Sequence, residues 1–401
     1  MKFDFETCPD RHGKDALAVD ALGKLKGFSP NAPQPGFDAI PMWVADMNFK
    51  TAPSVVKTVA ERLEHPLFGY FMPSDEYFDA IIRWQTARNG AEDLRPKHIR
   101  YENGVLGGFL SALSAITDKN TPVLLNSPTY IGFTHALNDA GFKAELSPLR
   151  RAGGRWELDF ADMERRIYTH GIKAAVICSP HNPCGRVWTR EELTRLVRIF
   201  EKYGVKIVSD EIWSDILLGG RRHTPTQTVS EYARENTVAL YAPTKTFNLA
   251  GLVGSYSIIY GSELGKAVER EAAKSHYNSM NVLSMHALIG AYSAEGAEWL
   301  EELKTVLTGN TRFACDYINN SMRGVWAAEP EGTYMLFADC GEYLKTAGVT
   351  LDDVLERAWA VGAAIQDGRP FHGETSVRIN LASPAKKVEE AFERLSRYVF
   401  V

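Results

Sequence analysis

Cysteine is scarce in this chain: five residues in 401, namely Cys8, Cys178, Cys184, Cys315 and Cys340. The number is odd and no two have C-x-x-C spacing, which argues against a disulfide framework and against a zinc site. Cys178 ends the apolar run Ala174–Cys178 and is expected to be core filler. No apolar run reaches the length of a bilayer span, so no membrane partner is expected. Basic clusters are missing as well: a net charge of -5, spread along the chain, argues against nucleic acid. The first fifteen residues are polar and acidic, unlike a secretory leader, and a cytoplasmic location is expected. Internal repeats and low-complexity tracts are absent too.

What is present is the balance of a globular protein, 45% hydrophobic and 24% charged, which can bury a core without cross-links. A length of 401 residues exceeds one compact core, so two domains are expected. Residues 1–48, with the loop Ser29–Gly36, read as an arm joining the smaller domain. Residues 49–290 alternate short apolar runs with helical patterns and are expected to form the large domain. Strands are predicted at Val123–Asn126, Ala174–Ser179, Val205–Ser209 and Val238–Tyr241, with Tyr256–Tyr260 following. Between the second and third, Thr189 and Glu192 form a capping box, and Leu193, Leu196, Val197 and Phe200 recur on one helical face before Gly204. Strand–helix–strand units of this length predict an α/β fold whose sheet is mostly parallel and flanked by helices. A long amphipathic segment around Trp299–Tyr317 reads as a connecting helix. Residues 291–401, with strands in Gly332–Asp339 and Val377–Leu381, read as a small α+β domain.

Ligands of parallel sheets collect beyond the carboxyl ends of the strands. Three polar residues stand at such ends: Asn182, Asp210 and Lys245. Pyridoxal 5′-phosphate (PLP) chemistry joins those types. A lysine holds the aldehyde as an imine and later shuttles the α-proton. A carboxylate keeps the pyridine nitrogen protonated, and an amide donates to the ring's phenolic oxygen. The phosphate wants backbone N–H groups at a helix N-terminus, which Gly104-Val105-Leu106-Gly107-Gly108 supplies ahead of the apolar helix Phe109–Ile116. Singly, each residue has a plainer reading: a turn aspartate, a solvated lysine, a glycine turn. The ordered combination is what points to PLP.

The same residues carry a family resemblance. Ser179-Pro180-His181-Asn182-Pro183-Cys184-Gly185 resembles the N-P-x-N-P-x-G loop of fold-type I aminotransferases, and Ser209-Asp210-Glu211-Ile212 their pyridine-nitrogen motif. Ala242-Pro243-Thr244-Lys245-Thr246-Phe247-Asn248 is similar to their lysine segment, and Arg378-Ile379-Asn380 to the late segment whose arginine holds the substrate carboxylate. Within that superfamily, Pro41-Met42-Trp43-Val44-Ala45-Asp46-Met47-Asn48-Phe49 and His65-Pro66-Leu67-Phe68-Gly69-Tyr70 resemble the MalY/PatB-type cystathionine β-lyases, or C–S β-lyases. The resemblance implies the PLP-dependent transferase fold of type I and assigns roles. Lys245, Asp210 and Tyr70 are the expected catalytic set. Tyr70 would reach into the partner's site and touch the phosphate, which implies a homodimer with shared active sites. Tyr130 would stack on the pyridine ring, and Trp213 would donate to the phenolic oxygen. Gly104, Val105, Leu106 and Thr244 would hold the phosphate. Arg378, Asn182, Ala45 and Tyr130 would bind the amino-acid substrate. Val253 stands where aminotransferases carry a phosphate-binding arginine, and Ala242 where they carry serine.

The implied reaction is α,β-elimination of cystathionine or another L-cysteine S-conjugate to pyruvate, ammonia and a thiol. A PLP-dependent aminotransferase shares every step up to removal of the α-proton, and the motifs leave that partition open. A PLP-binding regulator would need a DNA-binding segment, for which residues 1–40 are too few, and an intact Lys245 speaks against a silent site.

Overall fold

The structure, a computed structural model, describes residues 1–276 and 278–401. Twelve strands make two sheets: β1 (Ile40–Met42), β2 (Ile99–Glu102), β3 (Val123–Ser127), β4 (Ala144–Pro148), β5 (Ala174–Cys178), β6 (Lys206–Asp210), β7 (Thr237–Tyr241), β8 (Ser255–Ile258), β9 (Trp326–Ala327), β10 (Met335–Asp339), β11 (Ala363–Asp367) and β12 (Ser376–Asn380). The larger sheet has seven strands in the order β2-β8-β7-β6-β5-β3-β4. Five of them, β7, β6, β5, β3 and β4, are mutually parallel, while β8 runs antiparallel to both of its neighbours. Strands β5 and β7 are buried at every residue, as strands covered by helices on both faces must be.

Helices α1 (Val105–Ile116) and α2 (Arg190–Tyr203) cover this sheet. The capping box of α2 forms as predicted, with Thr189 Oγ1 accepting from the Glu192 N–H at 3.2 Å and Glu192 Oε2 from the Thr189 N–H at 2.8 Å. Gly204, at φ 66°, ends the helix in the left-handed conformation that glycine tolerates best. That ending shifts β6 by one residue from its predicted span. Val205 donates its N–H back to the Phe200 carbonyl at 2.9 Å, so the ladder begins at Lys206. At the other end, the Asp210 carbonyl accepts from the Ser179 N–H at 3.0 Å. Asp210 is therefore the last ladder residue rather than the first loop residue. Helix α1 likewise starts four residues before the predicted Phe109, because Gly104 at φ 83° is its N-cap.

The second sheet has five strands in the order β1-β11-β12-β10-β9, antiparallel except for β1 beside β11. Its own apolar cluster packs Leu336, Val354, Ile365, Ile379, Phe392 and their neighbours. Helix α3 (Ala294–Ser321) runs between the two cores, placing Trp299 and Leu303 in one and Ala314 and Ile318 in the other. The N-terminal residues touch both: Phe5 packs on Phe49 and Trp299, while Ile40–Met42 pairs with Ala363–Ile365. No helix among the described residues is long and apolar enough to cross a membrane.

Candidate active site

The ends of β5, β6 and β7 bring Asn182, Asp210 and Lys245 close to one arginine, Arg378, or to one another. Asn182 is held by a tight loop in which the His181 N–H bonds the Arg186 carbonyl and the Gly185 N–H bonds the His181 carbonyl, both at 2.7 Å. Gly185 is required there: at φ 69°, an added Cβ would lie 2.5 Å from Pro330. Asn182 Oδ1 accepts from Arg378 Nη1 at 3.1 Å, and its amide N–H groups have no protein acceptor among the described residues.

Arg378 comes from the middle of β12, in the other sheet. It is 4% exposed, donates to the Trp43 carbonyl at 3.0 Å and to Gln366 Oε1, and lies 4.3 Å over the Phe371 ring. Its Nε has no partner, and no carboxylate pairs with it among the described residues. Burial pushes its pKa down to about 10, so a cation is held without its usual counter-ion. A carboxylate arriving from solution would fill that vacancy with two parallel hydrogen bonds.

Asp210 is 3% exposed. Its Oδ1 accepts from the Ile212 N–H at 3.1 Å, and among the described residues its Oδ2 has only the Cys178 thiol, 4.0 Å away. Burial, reinforced by the adjacent Glu211, lifts its pKa to about 7 against the pull of Lys245. A cation placed beside it would favour the charged carboxylate. Lys245 sits in the one-turn helix Pro243–Thr246, and its Nζ donates to the Ala45 carbonyl at 3.0 Å. Burial, then the charge of Arg378, brings its pKa down to about 8, so an appreciable fraction is the free amine that attacks a carbonyl.

Gly104 caps α1, and the next N–H groups, of Val105 and Leu106, belong to the first turn that has no intrahelical acceptor. The Cγ1 of Val253 stands 3.9 Å from where a Gly104 Cβ would be. Val253 itself adopts φ 54°, a conformation β-branched residues seldom take, beside the cradle where the aminotransferase pattern has arginine. Tyr130 is the N-cap of the next helix, Ile131–Asp139, and its ring lies over Gly132, where any Cβ would collide with it. Burial raises its hydroxyl pKa, and it is near enough to Arg378 and Asp210 for their charges to act on it. Trp213 is 1% exposed, 5.8 Å from Lys245 Nζ at the ring centroid, and its indole N–H meets no protein acceptor among the described residues. Thr244 is half-buried beside Lys245.

These residues form one group, and their chemistry fits PLP: an amine, an unpaired acid, an unpaired guanidinium and open helix-terminal amides. Tyr70 stands apart from it. It is fully exposed, beside Phe68, Phe71 and Met72, and lines a cleft of about 600 Å³ with Tyr101 and Met280.

Several residues near the site carried no signal of their own in the sequence. Tyr334 donates to the same Ala45 carbonyl as Lys245, at 3.0 Å, and packs edge-on against Trp213. Asn380 donates to the Val44 carbonyl at 2.7 Å and the Asp46 carbonyl at 2.5 Å. Strand alternation places Asn380 on the same face as Arg378, and that was the available clue. Asn248 brackets Met47, accepting its N–H and donating to its carbonyl at 3.0 Å each. Arg11 pairs with Asp46 at 2.5 Å and donates to Asn48 Oδ1 at 2.9 Å, reaching the Ala45 segment from far back in the chain.

The chain belongs to the aminotransferase class I and II family, whose pattern matches residues 40–395. Within it, the chain is 30% identical over 396 residues to the cystathionine β-lyase PatB of Bacillus subtilis, covering 98% of each protein. It is 28% identical over 396 residues to the protein MalY of Escherichia coli, covering 97% of this chain and 96% of that one. Among solved structures, the PLP-bound C–S lyase from Staphylococcus hominis superposes with a TM-score of 0.88 at 27% identity, covering 100% of this chain and 99% of that one. The fold and the family read from the motifs are thus borne out.

Proposed function

We propose that this protein is a PLP-dependent C–S β-lyase that cleaves cystathionine or a related L-cysteine S-conjugate to pyruvate, ammonia and a thiol. The observation that carries the reading is Arg378, buried without a counter-ion among the described residues and near enough to Lys245 for their charges to interact, with Asp210 acting on the same lysine. Likeness to PatB over the whole chain supports the lyase over other chemistries of the family.

Bound PLP would supply an aldehyde that links to amines and a protonated ring that draws charge from the α-carbon. Lys245 would hold that aldehyde through Nζ and, as the free amine, take the α-proton on Nζ. Asp210 would hold the proton on the ring nitrogen. Asn182 would donate its amide to the phenolic oxygen and Trp213 its indole N–H. Tyr130 would stack on the ring, and Gly104, Val105, Leu106 and Thr244 would hold the phosphate. Arg378 would fix the substrate carboxylate, with Asn182 steadying the guanidinium. The Ala45 carbonyl would receive the Lys245 amine whenever it is free. Loss of the α-proton and of the β-thiolate, followed by addition of water, yields pyruvate and ammonia.

We also take residues 49–290 as the cofactor-binding domain and 291–401 as the small domain, with 1–48 joined to it. Tyr70, exposed in the single chain, would serve the neighbouring site of a homodimer. The deciding assay incubates the PLP-loaded protein with L-cystathionine and no keto acid. Sustained release of pyruvate and thiol is expected. A single turnover that resumes only when a keto acid is added would make the protein an aminotransferase instead.

A further inference from the structure

Two acidic residues follow one another where β6 ends, and only Asp210 acts on Lys245. Asp210 is in register with Cys178, and Ser209 with Ile177. Side chains alternate along a strand, so Ser209 and Glu211 turn to the opposite face from Asp210. There Glu211 is fully buried with both oxygens engaged. Oε1 accepts from Ser209 Oγ at 2.8 Å and from the Thr226 N–H at 2.9 Å. Oε2 meets His223 Nε2 at 2.6 Å and the Tyr241 hydroxyl at 2.5 Å. The Glu211 N–H donates to the Leu240 carbonyl at 2.9 Å.

These contacts join particular places. Ser209 precedes Asp210 on β6. Tyr241 ends β7, four residues before Lys245. One side chain therefore ties the strand end bearing Asp210 to the strand end that leads into Lys245. A packing role alone is a poor account of it, since replacing a buried ion by apolar side chains is often neutral or stabilising. Burial opposes the charge on Glu211, yet His223, Tyr241 and the Thr226 N–H together hold its pKa below the usual carboxylate range. His223 and Tyr241 are the titratable groups that face it, with Tyr256 behind Tyr241, while Asp210 on the other face is near enough to feel its charge. Among the described residues His223 Nδ1 has no partner, so the one bond this ring makes there is to Glu211.

We propose that Glu211 is a positioning residue for Asp210 and Lys245: it braces the two strand ends and fixes a negative charge behind the carboxylate that meets the cofactor ring. The proposal rests on the PLP reading above.

The test uses the full-length PLP-loaded protein and reads the pH midpoint of its visible absorbance change. Glu211→Gln keeps the shape and removes the charge, so the cationic form of the bound cofactor loses support. The midpoint is expected to fall by about half a unit to one unit. The PLP dissociation constant is expected to rise several-fold. Tyr241→Phe keeps the charge but withdraws one donor from it, and is expected to move the midpoint slightly upward. A role in packing alone lowers the melting temperature of both variants and moves neither midpoint, and that result overturns the proposal. If Glu211→Gln does not fold, Tyr241→Phe decides alone, and an unmoved midpoint rejects the brace. A wild-type protein that shows no absorbance band with PLP would fell the cofactor reading instead, which keeps the two failures distinct.

Discussion

Among the described residues Arg378 has hydrogen bonds but no opposite charge, and a planar fork is the feature that would let it take a carboxylate. Lysine keeps the charge and loses the fork. Arg378→Lys is expected to raise KM for the amino-acid substrate roughly 10–100-fold, with kcat changed only a few-fold, in steady-state assays. Asp210 makes a complementary prediction about stability. Its folded-state pKa of about 7 lies above the ordinary 3.8, so the folded chain binds this proton more readily than the unfolded chain does. That contribution is present at acidic pH and is lost as pH rises through about 7. In the cofactor-free protein, Asp210→Asn is therefore expected to raise stability at pH 8 by roughly 1–3 kcal/mol and to change little at pH 4. Urea unfolding at the two pH values checks it. A gain of equal size at both would mean that the carboxylate is not what the fold is holding against its preference.

At the scale of elements, α2 shows how a cap is joined to the core. Glu192 closes the capping box and also takes Arg186 on both oxygens, at 2.7 and 2.8 Å, while Arg186 is 2% exposed. Thr189→Ala should cost about 1 kcal/mol, the usual worth of an N-cap. Glu192→Ala should cost more, roughly 2–4 kcal/mol, because the buried guanidinium keeps only Glu331 and Arg186 loses a partner. Denaturant midpoints give both values, and equal costs would show that the ion pair adds nothing.

The contrast also explains what was readable in the sequence. The capping box is local, and so is the run of apolar residues in β5 and β7, which is why these elements and the three strand-end residues could be found. Asn182, Asp210 and Lys245 were legible because strand ends in a parallel sheet face one place. Strand β1 was not legible as a strand: it is three residues long, contains Pro41, and pairs with Ala363–Ile365. Tyr334, Gln366 and Arg11 were missed for the same reason, since each meets the site through contacts distant in sequence. Glu211 stood in a quoted motif but gave no sign that its side chain turns away from Asp210, toward His223 and Tyr241.

At the scale of the molecule, the exposure of Leu67, Phe68, Tyr70 and Met72 along one segment is the feature a second chain would cover. If Tyr70 serves the neighbouring site, two dead variants should repair each other. Mixing Lys245→Ala and Tyr70→Ala proteins under conditions that exchange subunits should restore about a quarter of wild-type activity, since half the dimers are hybrids with one sound site each. No recovery, with hybrids present by native mass spectrometry, would place Tyr70 in its own chain's site or in none.

The pairing of Ile40–Met42 with Ala363–Ile365 sets a timetable for a chain made from its N-terminus. Those residues leave the ribosome roughly 320 residues before their partner strand exists, a wait of about 15–65 s at ordinary elongation rates. Through that interval the large core can close around Phe5 while Ile40–Met42 has no strand to pair with. The last strands synthesised thus complete a seam begun by the first, and a nascent chain cut short before residue 363 would hold Asp210 and Lys245 but not the strand that pairs with Ile40–Met42.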